Sequence, residues 1–199
     1  MRDSWKIMAV QDAYKAFPYA DAMYGCNPSW WRVHKDCPGF NGQKWTSHEA
    51  NDGDTNDKLR IDPQLGKSIA DAFGLNVCGG RHGDEFSLDH DFIRYGSNSG
   101  FQAINLAILF GCKRIVLVGF DMGCPGGESH FFGDHPKELH QNRDADYRAY
   151  IKNFAVAAKK LPPDISIVNA TPGSALNCFP MMRLEDAMGA TCSSPEASL

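Results

Sequence analysis

From Gly96 to Asp121 the chain reads Gly-Ser-Asn-Ser-Gly, then Phe-Gln-Ala-Ile-Asn-Leu-Ala-Ile-Leu-Phe, then Gly-Cys-Lys-Arg, then Ile-Val-Leu-Val-Gly-Phe-Asp. Few folds accommodate that succession. The first five residues are small and polar, so backbone N–H groups can approach a ligand where a helix begins. Such a place suits an anion, because the first helical N–H groups are unpaired and carry partial positive charge. Phe101 to Phe110 is apolar almost all round, which predicts a buried helix rather than a surface one. After a turn at Gly111, Ile115 to Val118 is the short continuous apolar run of a central parallel strand. Asp121 then falls just past the strand's carboxyl end, where open α/β sheets place their ligands.

The chain has 199 residues, 43% hydrophobic and 22% charged, which is ordinary globular composition with enough length for a sizeable core. Its formal net charge of −4 argues against an electrostatic nucleic-acid binder, which shows a basic face. No apolar run approaches the roughly 20 residues that span a bilayer, and Met1-Arg2-Asp3-Ser4-Trp5 is no signal peptide. The seven cysteines are scattered singly with no Cys-x-x-Cys pair, so free thiols in a reducing cytoplasm are expected. Residues 1–190 read as one α/β domain, with a loose tail from 191 to 199.

Further along, Lys6 to Val10 and Ala22 to Cys26 read as strands. Each ends on a polar amide, Gln11 or Asn27, set on one rim of a sheet. Paired donors and acceptors of this kind read a base or a sugar. On spacing alone, simple capping and turn chemistry is the favoured account of both residues, Asn27 being a good helix cap with Pro28 at the first helical position. Phe40 to Asn56 is polar and reads as a solvated loop. Its Asn51–Asp57 acid run fails the spacing of a calcium loop, since counting from Asp52 puts Asp57 at position six and Pro63 at position twelve. A short helix over Ile69 to Phe73 and a short strand over Leu75 to Cys78 follow. Gly79 to Tyr95 crowds Arg81, His82, Asp84, Glu85, Asp89, His90, Asp91 and Arg94 into what reads as an exposed loop, and no metal is expected there.

Beyond the central unit, Ser129-His130-Phe131-Phe132-Gly133-Asp134-His135-Pro136 puts two histidines five residues apart with a carboxylate beside one. Histidine titrates near neutrality and a neighbouring carboxylate orients it, so this is a candidate acid/base pair. A packed loop with capping histidines fits the same residues. Asp146 to Lys160 has the spacing of an amphipathic helix stopped by Leu161-Pro162-Pro163, and Ile165 to Val168 reads as a last strand leading into Asn169-Ala170-Thr171-Pro172-Gly173-Ser174.

Taken together, these blocks resemble bacterial sialyltransferases of the lipooligosaccharide type and the phage and prophage relatives of the wider motility-accessory-factor group. Ala9-Val10-Gln11-Asp12-Ala13-Tyr14 is similar to a block that touches a cytidine nucleotide through an asparagine, here Gln11. Tyr24-Gly25-Cys26-Asn27-Pro28-Ser29 keeps the family's Asn-Pro-Ser. Asn98-Ser99-Gly100 through Gly119-Phe120-Asp121 is similar to its Ser-Gly turn, helix and Gly-x-Asp strand. The stretch from Ser129 to His135 resembles the block with the catalytic histidine, and Ala170 to Leu176 resembles its Pro-x-Ser turn.

The resemblance implies a Rossmann-like, GT-A-variant α/β fold with a mostly parallel sheet, lacking the family's first strand and its Gly-x-Gly-Pro-Ser turn. It implies metal-independent transfer of a sugar from a cytidine or uridine nucleotide sugar to an acceptor hydroxyl, with the donor as substrate and no other cofactor. His135 or His130 would be catalytic, tuned by Asp134. Gln11, Asn27, Ser29, Asn98, Ser99, Gly100, Asp121 and Ser174 would line the donor site. Met122 to Glu128 lacks the tyrosines that hold the leaving phosphate in the family's sialyltransferases. Two other readings stay open: a non-catalytic phage or prophage binding protein, expected to pair sheet edges as a homodimer, and a relative of pyrophosphate transfer to a pterin-like acceptor. The expected location is cytoplasmic, or the host cytoplasm for a phage protein.

Overall fold

The computed structural model describes residues 5–49, 61–124, 133, 135–139 and 141–189. The chain opens with β1 (Met8–Val10), a 3-10 turn (Gln11–Lys15), β2 (Ala22–Tyr24), α1 (Pro28–His34) and β3 (Gln43–Glu49). A small antiparallel ladder of β4 (Ile61–Asp62) and β5 (Lys67–Ser68) leads into α2 (Ile69–Phe73), β6 (Asn76–Arg81) and β7 (Phe92–Arg94). Then come α3 (Ser99–Leu109), β8 (Arg114–Leu117), α4 (Asp144–Lys159), β9 (Ser166–Asn169) and α5 (Leu184–Gly189). Among the described residues, no helix is long and apolar enough to cross a membrane.

Five strands form one all-parallel sheet in the order β1-β2-β3-β6-β7, while β8 and β9 make a separate parallel pair. This is a Rossmann-like α/β architecture, as the alternating strands and helices predict. Side chains alternate across the sheet with period two. Ala9 and Met23 point to one face, where Trp30 and Trp31 of α1 and Ile69 and Phe73 of α2 cover them. Met8, Val10 and Tyr24 point to the other, where Ala103 and Leu106 of α3 meet them.

As its all-round apolarity requires, α3 is buried on both flanks. Ala103 and Leu106 pack on the large sheet. Phe101, Ile104 and Ile108 pack with Leu117 of β8, Ile167 of β9 and Phe154 of α4. α3 touches both β7 and β1, the outer strands of the five. Strands about 4.8 Å apart would put those outer strands roughly 19 Å from one another in a flat sheet, so the sheet curls around the helix. Trp5 stacks on Arg114 at the start of β8, its ring centre 5.0 Å from the guanidinium carbon, which brings β8 to the β1 side. The chain therefore changes direction between β1 and β8, the kind of crevice in which α/β sheets bind ligands.

Two segments correct the sequence reading. Gln43 to Glu49 forms the middle strand of the sheet rather than part of a solvated loop. Its polar side chains are accommodated because Ser47, fully buried, shares a hydrogen bond of 2.8 Å with the Tyr24 hydroxyl. Phe92 to Arg94 likewise pairs as the outer strand β7 inside the charge-rich stretch. There the guanidinium carbons of Arg81 and Arg94 lie 4.0 and 5.1 Å from the Phe92 ring centre, so the charges cover the aromatic instead of excluding a strand. The acid run Asn51–Asp57 and the tail from 191 lie outside the described residues.

Candidate functional site at the carboxyl rim

Two groups of polar side chains gather where β1 and β2 end. The first is built around Asp12. β1 runs into the 3-10 turn through Gln11, whose φ of 47° is a left-handed conformation unfavourable for a residue with a side chain. That turn drives the Asp12 carboxylate inward, 2% exposed. One oxygen accepts from Lys15 Nζ at 2.5 Å and lies 3.5 Å from His34 Nε2. The other accepts from Trp30 Nε1 at 2.8 Å and lies 3.7 Å from His135 Nδ1. Trp30 and His34 are four apart on α1 and so share a face, with their rings stacked 4.3 Å between centres.

Burial alone pushes the Asp12 carboxyl up. The hydrogen bonds from Lys15 and Trp30, with the charges of His34 and Lys15, outweigh it and hold the group below the ordinary carboxylate value. Burial likewise drives His34 below the usual imidazole value. Asp12 pulls the other way, but burial together with the charges of Lys15 and His135 outweighs it. His34 is therefore neutral at pH 7, and its contact with Asp12 is dipolar there rather than an ion pair. The centre is an ionised carboxylate with an imidazole on each oxygen.

The second group lies on the α3 side. Cys26, just past β2, sits with its Sγ 2.9 Å from Ser99 Oγ in the first turn of α3, and Asn27 Oδ1 accepts from the same thiol at 3.5 Å. Asn27 occupies the cap position of α1, yet its side chain makes no capping hydrogen bond and is exposed. Asn98 does cap: its Oδ1 accepts from the Phe101 N–H at 3.0 Å. The N–H groups of Ser99 and Gly100 are left pointing out of the helix end. Gly100 is demanded by packing, since a Cβ there would come within 2.7 Å of the Phe120 ring and 2.8 Å of Asn98 Oδ1. From α4, the half-buried Tyr150 hydroxyl donates to Asn142 Oδ1 at 3.2 Å. Burial, then Asp146 and Cys26, push that hydroxyl up to about 12, so it remains a donor.

The predicted site residues thus divide. The structure brings Asn27, Asn98, Ser99 and Gly100 to one end of α3, with Gln11 next to Asp12 at the end of β1 and Ser29 exposed in the first turn of α1. Asp121 and Ser174 meet through the turns after β8 and β9. The Asp121 carbonyl accepts from Ala175 N–H at 2.9 Å. Ser174 Oγ donates to the Phe120 carbonyl at 2.5 Å and accepts from Asn169 Nδ2 and Leu176 N–H, each at 3.0 Å, so that hydroxyl is committed to holding the turn. His135 joins the Asp12 group. His130 and Asp134 lie outside the described residues.

Sequence reading missed Asp12, Lys15 and His34. The signal was present as Asp12-x-x-Lys15 and Trp30-x-x-x-His34, two helical spacings that each put their pair on one face. Among the described residues, no group of three or more His, Cys, Asp or Glu side chains is arranged to hold a metal ion. Set against protein-family models, curated proteins and solved structures, the chain matches none of them.

Proposed function

We propose that the chain is a nucleotide-sugar-dependent glycosyltransferase-like enzyme that transfers a sugar to an acceptor hydroxyl without a metal. One observation supports this above the others: the 2.9 Å contact of Cys26 with Ser99 joins the amide-bearing end of β2 to the free N–H groups of α3. Base-reading amides and an anion-binding helix end thereby share one rim. Gln11 and Asn27 read the base and ribose of a cytidine or uridine nucleotide. Ser99 and Gly100 N–H groups, with the Tyr150 hydroxyl, face its phosphate.

His135 is the acid/base group, and Asp12 is the carboxylate beside it, the role the sequence assigned to Asp134. As the acceptor oxygen attacks the anomeric carbon, its proton passes to the imidazole. The bond from that carbon to the phosphate oxygen breaks, and the nucleotide leaves with the electron pair. Such assistance is worth about 10²–10⁴ in rate.

Thermal unfolding with cytidine and uridine mono- and diphosphates and their sugar conjugates tests the reading. A ligand at ten times its Kd stabilises by about 1.4 kcal/mol, which raises Tm by roughly 3–6 °C in a chain of this size. A panel that leaves Tm unmoved at millimolar concentration would sink the proposal.

A further inference from the structure

The carboxyl ends of β6 and β7 carry two arginines side by side. Arg81 closes β6, Arg94 closes β7, and the parallel register pairs them directly. Ile93 packs with Ala103 and Leu106 of α3, so Phe92 and Arg94 stand on the opposite face of the sheet, and Arg81 stands there with them. Both guanidiniums lie against one ring: their carbons are 4.0 and 5.1 Å from the centre of Phe92. Like charges directly opposite one another on neighbouring strands repel, so the pair weakens this ladder unless an anion joins it.

The two arginines are not equally provided for. Arg94 is pinned, with Nη1 donating to the His82 carbonyl at 2.6 Å and Nη2 4.0 Å from Glu85 Oε1. Its stem crosses a cleared stretch of backbone, since a Cβ on Gly83 would come within 2.9 Å of Arg94 Cδ. Glu85 is itself held by Lys160 at 2.7 Å, and Asp84 adds its charge on the same lysine. Among the described residues, none makes a hydrogen bond or ion pair with the Arg81 side chain. Its Nε is buried without a hydrogen-bond partner, while its terminal nitrogens keep contact with solvent. The guanidinium is thus held against Phe92 by its inner part and open at its outer edge.

We propose that Arg81 and Arg94 form a binding site for a phosphate monoester, a dianion that meets one charge from each guanidinium. Two adjacent cations call for a doubly charged anion, and guanidinium N–H groups form a fixed fork that matches phosphate oxygens. Stacking on Phe92 fixes Arg81 beforehand, so little side-chain freedom is lost on binding. The pair stands on the sheet face turned away from α3, so this site is separate from the helix end assigned to the nucleotide. It holds whether or not the chain transfers a sugar.

Side-chain NMR of the intact chain at low ionic strength reads the site directly. Titrated with phenyl phosphate, the Nε–H signals of Arg81 and Arg94 should shift together and saturate in the low millimolar range. Benzoate, a monoanion on the same ring, should bind at least about tenfold more weakly. Arg81→Met keeps an apolar stem over Phe92 and removes the charge. It should lose the phosphate response at Arg94 and, without ligand, unfold no earlier than the native chain. Amide shifts at Ser99 and Gly100 report the nucleotide end separately. Four results would overturn the proposal: arginine signals that stay still, an equal shift with sodium chloride at matched ionic strength, benzoate binding as tightly as phenyl phosphate, or an undiminished phosphate response in Arg81→Met. Early unfolding of that variant without ligand would overturn it too, by making Arg81 a structural cover for Phe92.

Discussion

On the α1 side of the rim, Asp12 is 2% exposed and its two oxygens are divided among Lys15, Trp30, His34 and His135. On the α3 side, Asn27 is exposed, its side chain caps nothing, and the N–H groups of Ser99 and Gly100 belong to the first turn of α3, which has no intrahelical partners. The first region is charged and closed; the second is neutral and open. Polar groups in the closed region are held by each other, so their removal is felt by the fold. On the proposed function, polar groups in the open region meet the ligand, so their removal should be felt by binding. Stability and ligand response therefore separate the two.

The largest effect is expected at Asp12. Asp12→Ala strands the Trp30 indole N–H in a buried place, which alone costs about 1–3 kcal/mol, and it removes the acceptor of Lys15. Urea unfolding should show a loss of about 2–3 kcal/mol. A loss below about 0.5 kcal/mol would mean that the closed region does not hold the fold.

A matched pair of asparagines gives the next test. Asn98→Ala removes a side-chain cap that α3 uses and should cost about 1 kcal/mol. Asn27→Ala removes a side chain in the same formal position that caps nothing, so stability should move by no more than about 0.5 kcal/mol. The nucleotide-induced rise in Tm should nevertheless vanish in Asn27→Ala. Equal stability losses in the two variants would erase the distinction between a capping and a ligand-facing asparagine.

How far the sequence announces this arrangement depends on whether the information is local. α3 was legible because its apolar residues leave no polar face, and the structure buries it on two flanks as that demands. α1 and α4 were legible from spacing and stop signals. β3 and β7 were not, because their polar residues are satisfied by distant partners, Ser47 by Tyr24 and Arg94 by the carbonyl of His82. The rim amides could be found from strand ends. The Asp12 group could not be assembled the same way, since it draws on residues 12, 15, 34 and 135, which only the fold brings together.

The smallest expected effect is a pH dependence, and it probes the closed region from inside. His34 in the folded chain holds its proton less tightly than an ordinary imidazole, near 6.5, because burial, joined by the charges of Lys15 and His135, outweighs the pull of Asp12. Below about pH 6.5 the unfolded chain takes up a proton that folded His34 refuses, so unfolding gains and stability falls as pH falls. The Asp12 carboxyl, also lowered on folding, contributes in the same direction but only below its unfolded value of 3.8. The window between pH 7 and 5.5 therefore isolates the histidine. Urea midpoints across it should fall more steeply for the native chain than for His34→Gln, whose remaining histidines are the same. Parallel slopes would mean that His34 is as free to charge in the folded chain as in the unfolded one, and the neutral imidazole assigned beside Asp12 would be wrong.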